Sequence, residues 1–149
     1  EKTLHILETI VRRYTGRPNF LGLGVLNEPQ GDMPLSTLKS FYHNTYERLS
    51  AINDSLLLWM SDSWRAGALA GFGFIPQRPT VVVEAHVYQI YLEGDIQLSP
   101  EEHNARARDF WGEEFALQQR HRMVAAGEWA LALHTSTWEG YDDDRKHQA

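Results

Sequence analysis

The stretch Phe20–Pro29 (FLGLGVLNEP) decides how this chain folds. Its apolar part, Phe20–Leu26, is nearly continuous and has the length of a strand, which is typical of a strand buried on both faces in a parallel sheet. The apolar run gives way to Asn27 and Glu28, and the proline that follows stops the strand. We therefore predict a buried strand that carries an amide and a carboxylate at its carboxyl end.

Similar apolar segments recur along the chain and alternate with segments of helical spacing. Three further strands are predicted, over Leu56–Met60, Thr80–Val87 and Met123–Leu133. Three helices are predicted, over Glu1–Tyr14, Ser36–Ile52 and Ser99–Arg120, the last with a serine cap followed by proline. The glycine-rich stretch 61–79 is interpreted as a loop, and the polar stretch 135–149 as a loop or a frayed tail.

Alternation of strands and helices indicates an α/β fold with a parallel sheet, either open and doubly wound or closed into a barrel. The predicted strands start at Phe20, Leu56, Val81 and Met123, which are 36, 25 and 42 residues apart. Eight such units would need about 275 residues, close to the roughly 250 of a (β/α)₈ barrel. The glycine pattern of a nucleotide-binding sheet is missing. We therefore predict a partial (β/α)₈ TIM barrel, with about half of the barrel present, so that residues 1–149 are an internal fragment of one domain.

Composition excludes several classes of function. The chain has 149 residues, of which 42% are hydrophobic, and 20 acidic residues outnumber 14 basic ones. This balance argues against nucleic acid as a partner, because phosphate backbones require a basic face. There is no cysteine and no apolar run of the roughly 18 residues that a membrane span needs. The seven histidines lack the H-E-x-x-H spacing, so we predict neither a metal nor any other cofactor.

Function in such a barrel lies at the carboxyl ends of the strands. Two of the four predicted strands end in a glutamate, Glu28 and Glu128. A pair of carboxyl groups that converge on one pocket is the apparatus of glycoside hydrolysis, in which one protonates the leaving oxygen and the other attacks the sugar or activates water. The position of these two glutamates at strand ends thus favours a glycosidase.

Three motifs in barrel order carry a resemblance to a known family. They are LGLGVLNEP (Leu21–Pro29), VVVEAHVYQIY (Val81–Tyr91) and AAGEWALAL (Ala125–Leu133). The set resembles the fourth, sixth and seventh strands of glycoside hydrolase family five in clan A, most closely the branch of fungal-type exo-β-1,3-glucanases. The resemblance covers roughly residues 20–138 and implies barrel strands four to seven.

The resemblance also implies roles for individual residues. Glu28 would be the general acid/base and Glu128 the nucleophile, at the separation of about 5 to 5.5 Å that retention requires. Asn27 would bind the sugar 2-hydroxyl, and His86 and Tyr88 would line the cleavage subsite, with Tyr88 bonded to Glu128. The aromatic rings of Trp64 and Trp129 are candidates for stacking on sugar.

The implied activity is that of a retaining glycosidase acting on a β-glucan, most closely a glucan 1,3-β-glucosidase. An endo-β-glucanase or β-mannanase of the same clan and a non-catalytic carbohydrate-binding relative stay open as alternatives. The resemblance further implies an extracellular or cell-wall location and a monomeric full-length enzyme. We expect the isolated 149-residue segment to be inactive, because half a barrel leaves two strand edges open.

Overall fold

Four parallel strands form one sheet in the computed structural model, which describes residues 1–65, 67, 69, 79–91 and 93–141. The strands pair with their neighbours in chain order. They are β1 (Gly22–Gly24), β2 (Leu57–Ser61), β3 (Val81–Val87) and β4 (Met123–Trp129). This order is the one that an arc of a (β/α)₈ barrel has, so the predicted α/β fold class is confirmed.

Helices lie before β1, between β1 and β2 and between β3 and β4, and one short helix among them was not predicted. They are α1 (Lys2–Tyr14), α2 (Leu35–Ser50), α3 (Glu93–Ile96), α4 (Pro100–Arg106) and α5 (Gly112–Gln119). The capping box at the start of α4 is confirmed, since Ser99 Oγ accepts the Glu102 N–H and the Glu102 carboxylate accepts the Ser99 N–H. The helix predicted from Ser99 to about Arg120 is confirmed in its extent, and a π-helical segment, Ala107–Trp111, lies between α4 and α5.

The main hydrophobic core lies between the sheet and the first two helices. Leu38, Tyr42 and Leu49 of α2 are fully buried against Leu58 and Met60 of β2, as befits an amphipathic helix on a sheet. Successive strand residues face opposite sides of the sheet, so burial of Leu58 and Met60 towards the helices leaves the alternate positions of β2 for the barrel interior. The same alternation in β3 places Glu84 and His86 on the interior side.

The first strand is shorter than the predicted Phe20–Leu26. Its regular part covers Gly22–Gly24, although backbone hydrogen bonds from Leu57 to Leu21 and from Val25 to Trp59 extend the pairing on both sides. A Cβ on Gly22 would collide with the Trp59 ring and with the β2 backbone. Glycine therefore allows the indole to lie across β1 inside the barrel arc.

Two predicted irregular segments have different outcomes. Stretch 61–79 lies largely outside the described residues. The expectation of a loop or frayed tail from residue 135 is wrong for Thr135–Trp138, which form a 3₁₀ turn with Thr137 buried. The Ser136 hydroxyl donates a 2.8 Å hydrogen bond to the Ile96 carbonyl and so fixes this turn on α3. Residues 142–149 are outside the described part, within which no helix is long and apolar enough to cross a membrane.

Candidate active site

Three predicted residues meet at the carboxyl ends of the strands. His86 Nδ1 shares a 2.7 Å hydrogen bond with Glu28 Oε1 and lies 3.5 Å from Glu128 Oε2. One ligand-type atom from each of the three side chains lies within 4.8 Å of the other two. The imidazole is buried, whereas each carboxylate has more than a third of its side chain exposed. Both carboxylates are thus partly exposed to solvent, while the imidazole beside them is buried.

A β-bulge in the pairing of β3 with β4 brings Glu128 to this site. Ala85 pairs with Ala126, but His86 pairs with Glu128, so Gly127 is the extra residue. Without the bulge, Glu128 would pair with the next residue of β3 and face away from His86, because side chains alternate along a strand. A Cβ on Gly127 would collide with the Glu84 carboxylate. The glycine before Glu128 therefore allows the bulge that aims the carboxylate.

Tyr88 holds Glu128 as the resemblance implies. Its hydroxyl donates a 3.0 Å hydrogen bond to Glu128 Oε2. This bond, together with burial and the charge of Glu128, raises the pKa of Tyr88 above its ordinary value. Since the phenol keeps its proton, it remains a donor that stabilises the ionised form of Glu128.

A strained turn after β2 places Trp64 beside the other site residues. Ser63 and Trp64 adopt φ angles of 59° and 60°, which are rare for residues other than glycine. The turn is held because the Ser63 hydroxyl donates to the Pro29 carbonyl and Asp62 Oδ1 accepts the Trp64 N–H. The indole meets the His86 ring edge-on, with 5.7 Å between ring centroids. The strained backbone thus allows Ser63 to hold the turn against the Asn-Glu-Pro segment.

Two acidic residues near His86 were not selected from the sequence as site residues. Burial raises the pKa of Asp62 to about 6, although the hydrogen bond from Trp64 opposes the shift. Burial also raises the pKa of Glu84, whose Oε1 lies 3.8 Å from His86 Nε2. The available signal was that each follows apolar residues of a predicted strand, which is where a barrel collects functional groups.

A cavity of about 720 Å³ opens over these residues. One side of it is lined by residues at the strand ends, namely Glu28, Asp62, Trp64, His86, Tyr88 and Glu128. The other side is lined by residues of the β3–α4 connection and the helices, namely Tyr91, Asp95, Arg106, Phe110 and Trp111. Asn27 and Trp129 are exposed and are not among the lining residues. The structure therefore brings together five of the seven predicted site residues and adds a second wall.

The donor set of Glu28, His86 and Glu128 also has the spacing of a cation site. Two carboxylates and one imidazole can ligate a divalent metal. The two carboxyl groups of this set also suit a retaining glycosidase, in which carboxyl groups about 5 to 5.5 Å apart take acid/base and nucleophilic roles without any metal. That no metal is required stays a prediction.

Comparison with known proteins matches the chain to fungal glucanases. It is 34% identical over 137 residues to a glucan 1,3-beta-glucosidase of Schwanniomyces occidentalis, covering 88% of this chain and 31% of that protein. It is 25% identical over 134 residues to a probable glucan 1,3-beta-glucosidase A of Aspergillus niger, covering 89% and 31%. The resemblance to the fungal glucanases is confirmed. The chain spans about a third of the length of these glucosidases, and no family model matches it.

Solved structures support the fold. The catalytic domain of the major endoglucanase from Xanthomonas campestris superposes with a TM-score of 0.68 at 18% identity, over 99% of this chain and 47% of that one. Thermotoga maritima Cel5A, solved in complex with mannotriose, superposes with a TM-score of 0.64 at 18% identity, over 87% and 47%. Both superpositions cover about half of a solved (β/α)₈ barrel, so the chain has the fold of about half of such a barrel, as predicted.

Proposed function

We propose that the protein containing this chain is a retaining glycosidase that cleaves β-glucosidic bonds, specifically a glucan 1,3-β-glucosidase. The observation that carries the proposal is the meeting of Glu28 and Glu128 across His86, with carboxylate oxygens within 4.8 Å. The glutamates come from opposite edges of the sheet and are 100 positions apart in the sequence. The glucan and its linkage are taken from the named fungal relatives.

The proposal gives different tasks to the two carboxyl groups. In a double displacement, Glu128 attacks the anomeric carbon as a carboxylate while Glu28 gives its proton to the leaving oxygen, and water then hydrolyses the glycosyl-enzyme with Glu28 acting as base. The Tyr88 hydroxyl donates a hydrogen bond to Glu128 Oε2, which suits a carboxylate that acts as the nucleophile.

Other parts of the proposal concern the substrate and the whole enzyme. Trp64 offers an aromatic face in the cavity and is a candidate for packing on a sugar ring. Asn27 and Trp129, exposed next to the two glutamates, are proposed to bind sugar in the complete barrel. We also propose that this chain is an internal part of one catalytic domain, that the isolated segment is inactive, and that the full enzyme is monomeric and extracellular or in the cell wall.

The test is the configuration of the first product formed by the complete enzyme. Proton NMR during hydrolysis of a β-1,3-linked glucotetraose should show β-glucose first, followed by mutarotation to the α-anomer. Appearance of α-glucose first would exclude the double displacement, because the α-anomer forms from a β-glucoside by a single inversion. A variant Glu128→Gln serves as the control for background hydrolysis.

A second candidate within the clan is an endo-β-glucanase or β-mannanase. It is favoured by the superposition on an endoglucanase and on an enzyme solved with mannotriose. A panel of β-1,3-glucan, β-1,4-glucan and β-mannan separates these activities from the glucosidase. Binding of these polymers without any hydrolysis would instead indicate a non-catalytic carbohydrate-binding relative.

A further inference from the structure

The turn between α2 and β2 carries a sequence pattern that the proposed reaction does not use. It reads Asn53-Asp54-Ser55, and it is the one Asn-x-Ser/Thr triplet in the 149-residue sequence. Such a triplet, with any residue except proline in the middle, is the acceptor for an N-linked glycan in a secreted protein. We propose that Asn53 is an N-glycosylation site, modified at Nδ2. This inference rests on the extracellular or cell-wall location proposed above.

The triplet lies at the protein surface. Asp54 and Ser55 are exposed, and Asn53 is half-buried. Asn53 contacts Thr15 in the turn that follows α1, and residues 15–19 of that turn are all exposed. The space beside the Asn53 side chain therefore opens to solvent. A glycan is bulky and hydrophilic, so it needs a surface turn of this kind.

The Asn53 side chain is held in a way that leaves one amide hydrogen available. Its Oδ1 accepts the Ser55 N–H at 3.0 Å, which closes a local Asx turn. Its Nδ2 donates a 3.1 Å hydrogen bond to Thr15 Oγ1. A carboxamide nitrogen has two hydrogens, and no second acceptor bonds to this one among the described residues. Because an N-linked glycan replaces one hydrogen, the glycosylated amide can keep both bonds.

The modification is a group transfer from a donor of defined chemistry. The donor is an oligosaccharide carried on a polyprenyl diphosphate in the membrane of the secretory compartment. Asn53 Nδ2 forms a bond to the anomeric carbon of the first sugar, and the bond between that carbon and the diphosphate oxygen breaks. The polyprenyl diphosphate leaves, and the amide loses one proton to a base.

The site is remote from the catalytic cavity. Asn53 lies before Leu57, the first residue of β2, whereas Asp62 directly follows β2 and lines the cavity. The five residues of β2 span about 17 Å, at roughly 3.3 Å per residue. In a (β/α)₈ barrel the amino ends of the strands lie opposite the active site. A glycan on Asn53 therefore leaves the cavity open, and its loss should not change turnover.

The experiment maps the glycan on the complete enzyme, produced from its complete gene in a yeast. The tryptic peptide 49–65 contains Asn53 as its only asparagine. Peptide N-glycosidase in heavy-oxygen water converts a glycosylated asparagine to labelled aspartate, which mass spectrometry detects. We expect the label at Asn53 in secreted wild-type enzyme. Asn44, which is exposed and belongs to no such triplet, is the internal control and should stay unlabelled.

Two variants at Ser55 separate the glycan from the fold. Ser55→Ala removes the hydroxyl that the triplet requires but keeps the backbone N–H that Asn53 accepts, so the label should be lost. Ser55→Thr keeps a hydroxyl and should keep the label. Because Ser55 is exposed and its hydroxyl bonds to the adjacent Asp54, both variants should fold and hydrolyse an aryl β-glucoside at the wild-type rate.

The outcomes distinguish the glycan from the other proposals. Secreted wild-type enzyme without the label, or a label that persists in Ser55→Ala, would overturn the site while the proposed location stands. Active enzyme that stays inside the cell with Asn53 unlabelled would overturn the location, and the site with it. Secreted enzyme that carries the label but hydrolyses no β-glucoside would support the site and refute the catalytic proposal.

Discussion

The two flanks of the sheet differ in how they hold the carboxylate that each supplies. On the first flank, α1 and α2 cover β1 and β2 with fully buried side chains such as Val11, Leu38 and Leu49. On the second flank, every residue of β4 is exposed or half-buried within this chain, with Met123 at 41% and Trp129 at 64% exposure. Within this chain, Glu28 thus follows a strand fixed by packing, while Glu128 is positioned by a bulge and by polar contacts.

This difference separates two ways of placing a functional group. Apolar packing fixes a backbone without specifying the direction of one side chain, whereas the Gly127 bulge and the Tyr88 hydroxyl act on Glu128 itself. A change in the packing of the first flank should therefore show mainly as a loss of stability. Catalysis should be more sensitive to small changes around Glu128 on the second flank.

The largest effects are expected from removing each carboxylate in the complete enzyme. Glu128→Gln should lower kcat on an aryl β-glucoside by about 10⁴-fold or more, since the covalent step is lost. Glu28→Gln should lower it by about 10²- to 10⁴-fold, the range of general acid/base catalysis. Glu139→Gln, at an exposed glutamate that does not line the cavity, is the control. Wild-type turnover in either site variant would refute the assignment.

The packing of the first flank should show in stability next. Leu58→Ala removes a fully buried side chain from β2 and should lower the free energy of unfolding by about 2 to 5 kcal/mol. Denaturant titration of the complete domain measures the loss. A loss of less than about 1 kcal/mol would show that this packing does not fix β2.

The bulge should be sensitive to a single methyl group. Gly127→Ala places a Cβ against the Glu84 carboxylate, so either the Glu84 side chain or the strand must shift, and we expect the strand to carry Glu128 with it. A misplacement of about 1 Å can cost 10²-fold in rate, and we expect a fall in kcat of about that size. In Gly112→Ala, by contrast, the new Cβ meets no atom within 4 Å. Activity in Gly127→Ala equal to that of the Gly112 control would show that the bulge does not aim the nucleophile.

The smallest effect concerns the buried acid next to the first flank. Because the pKa of Asp62 is raised from 3.8 to about 6, the folded protein binds this proton more tightly than the unfolded chain does. Stability from this group is therefore complete below the unfolded pKa and declines as the pH rises to the folded value. Asp62→Asn should reduce the decline in unfolding free energy between about pH 4 and 6, by at most roughly 3 kcal/mol.

Unfolding titrations at several pH values in this window measure the effect of Asp62→Asn. Asp32→Asn, at an exposed aspartate outside the cavity, should follow the wild-type curve. A decline of wild-type size in Asp62→Asn would mean that other groups cause the pH dependence.

The sequence was informative where burial follows a period or a motif. Apolar runs located the four strands, and Ser99, Pro100 and Glu102 located a helix start, because these signals are local. The meeting of Glu28, His86 and Glu128 was predicted only by combining barrel order with a family resemblance.

Other features depend on contacts between distant residues. The π-helical segment and the left-handed turn at Ser63 have no local pattern that identifies them. Arg106 looks like an ordinary surface residue until Asp95, eleven positions earlier, is seen buried beside it. Nor does the alternation in β4 reveal that an extra residue turns Glu128 towards His86, since a bulge depends on pairing with β3.

The most direct test of the account is azide rescue of the two glutamate variants in the complete enzyme. With an activated aryl β-glucoside, Glu128→Gly and azide should give α-glucosyl azide, because azide then attacks in place of the missing nucleophile. Glu28→Gly and azide should give β-glucosyl azide, because Glu128 still forms the intermediate that azide opens. Glu128→Gly that yields no α-azide, or yields the β-azide, would contradict the assignment of Glu128 as the nucleophile.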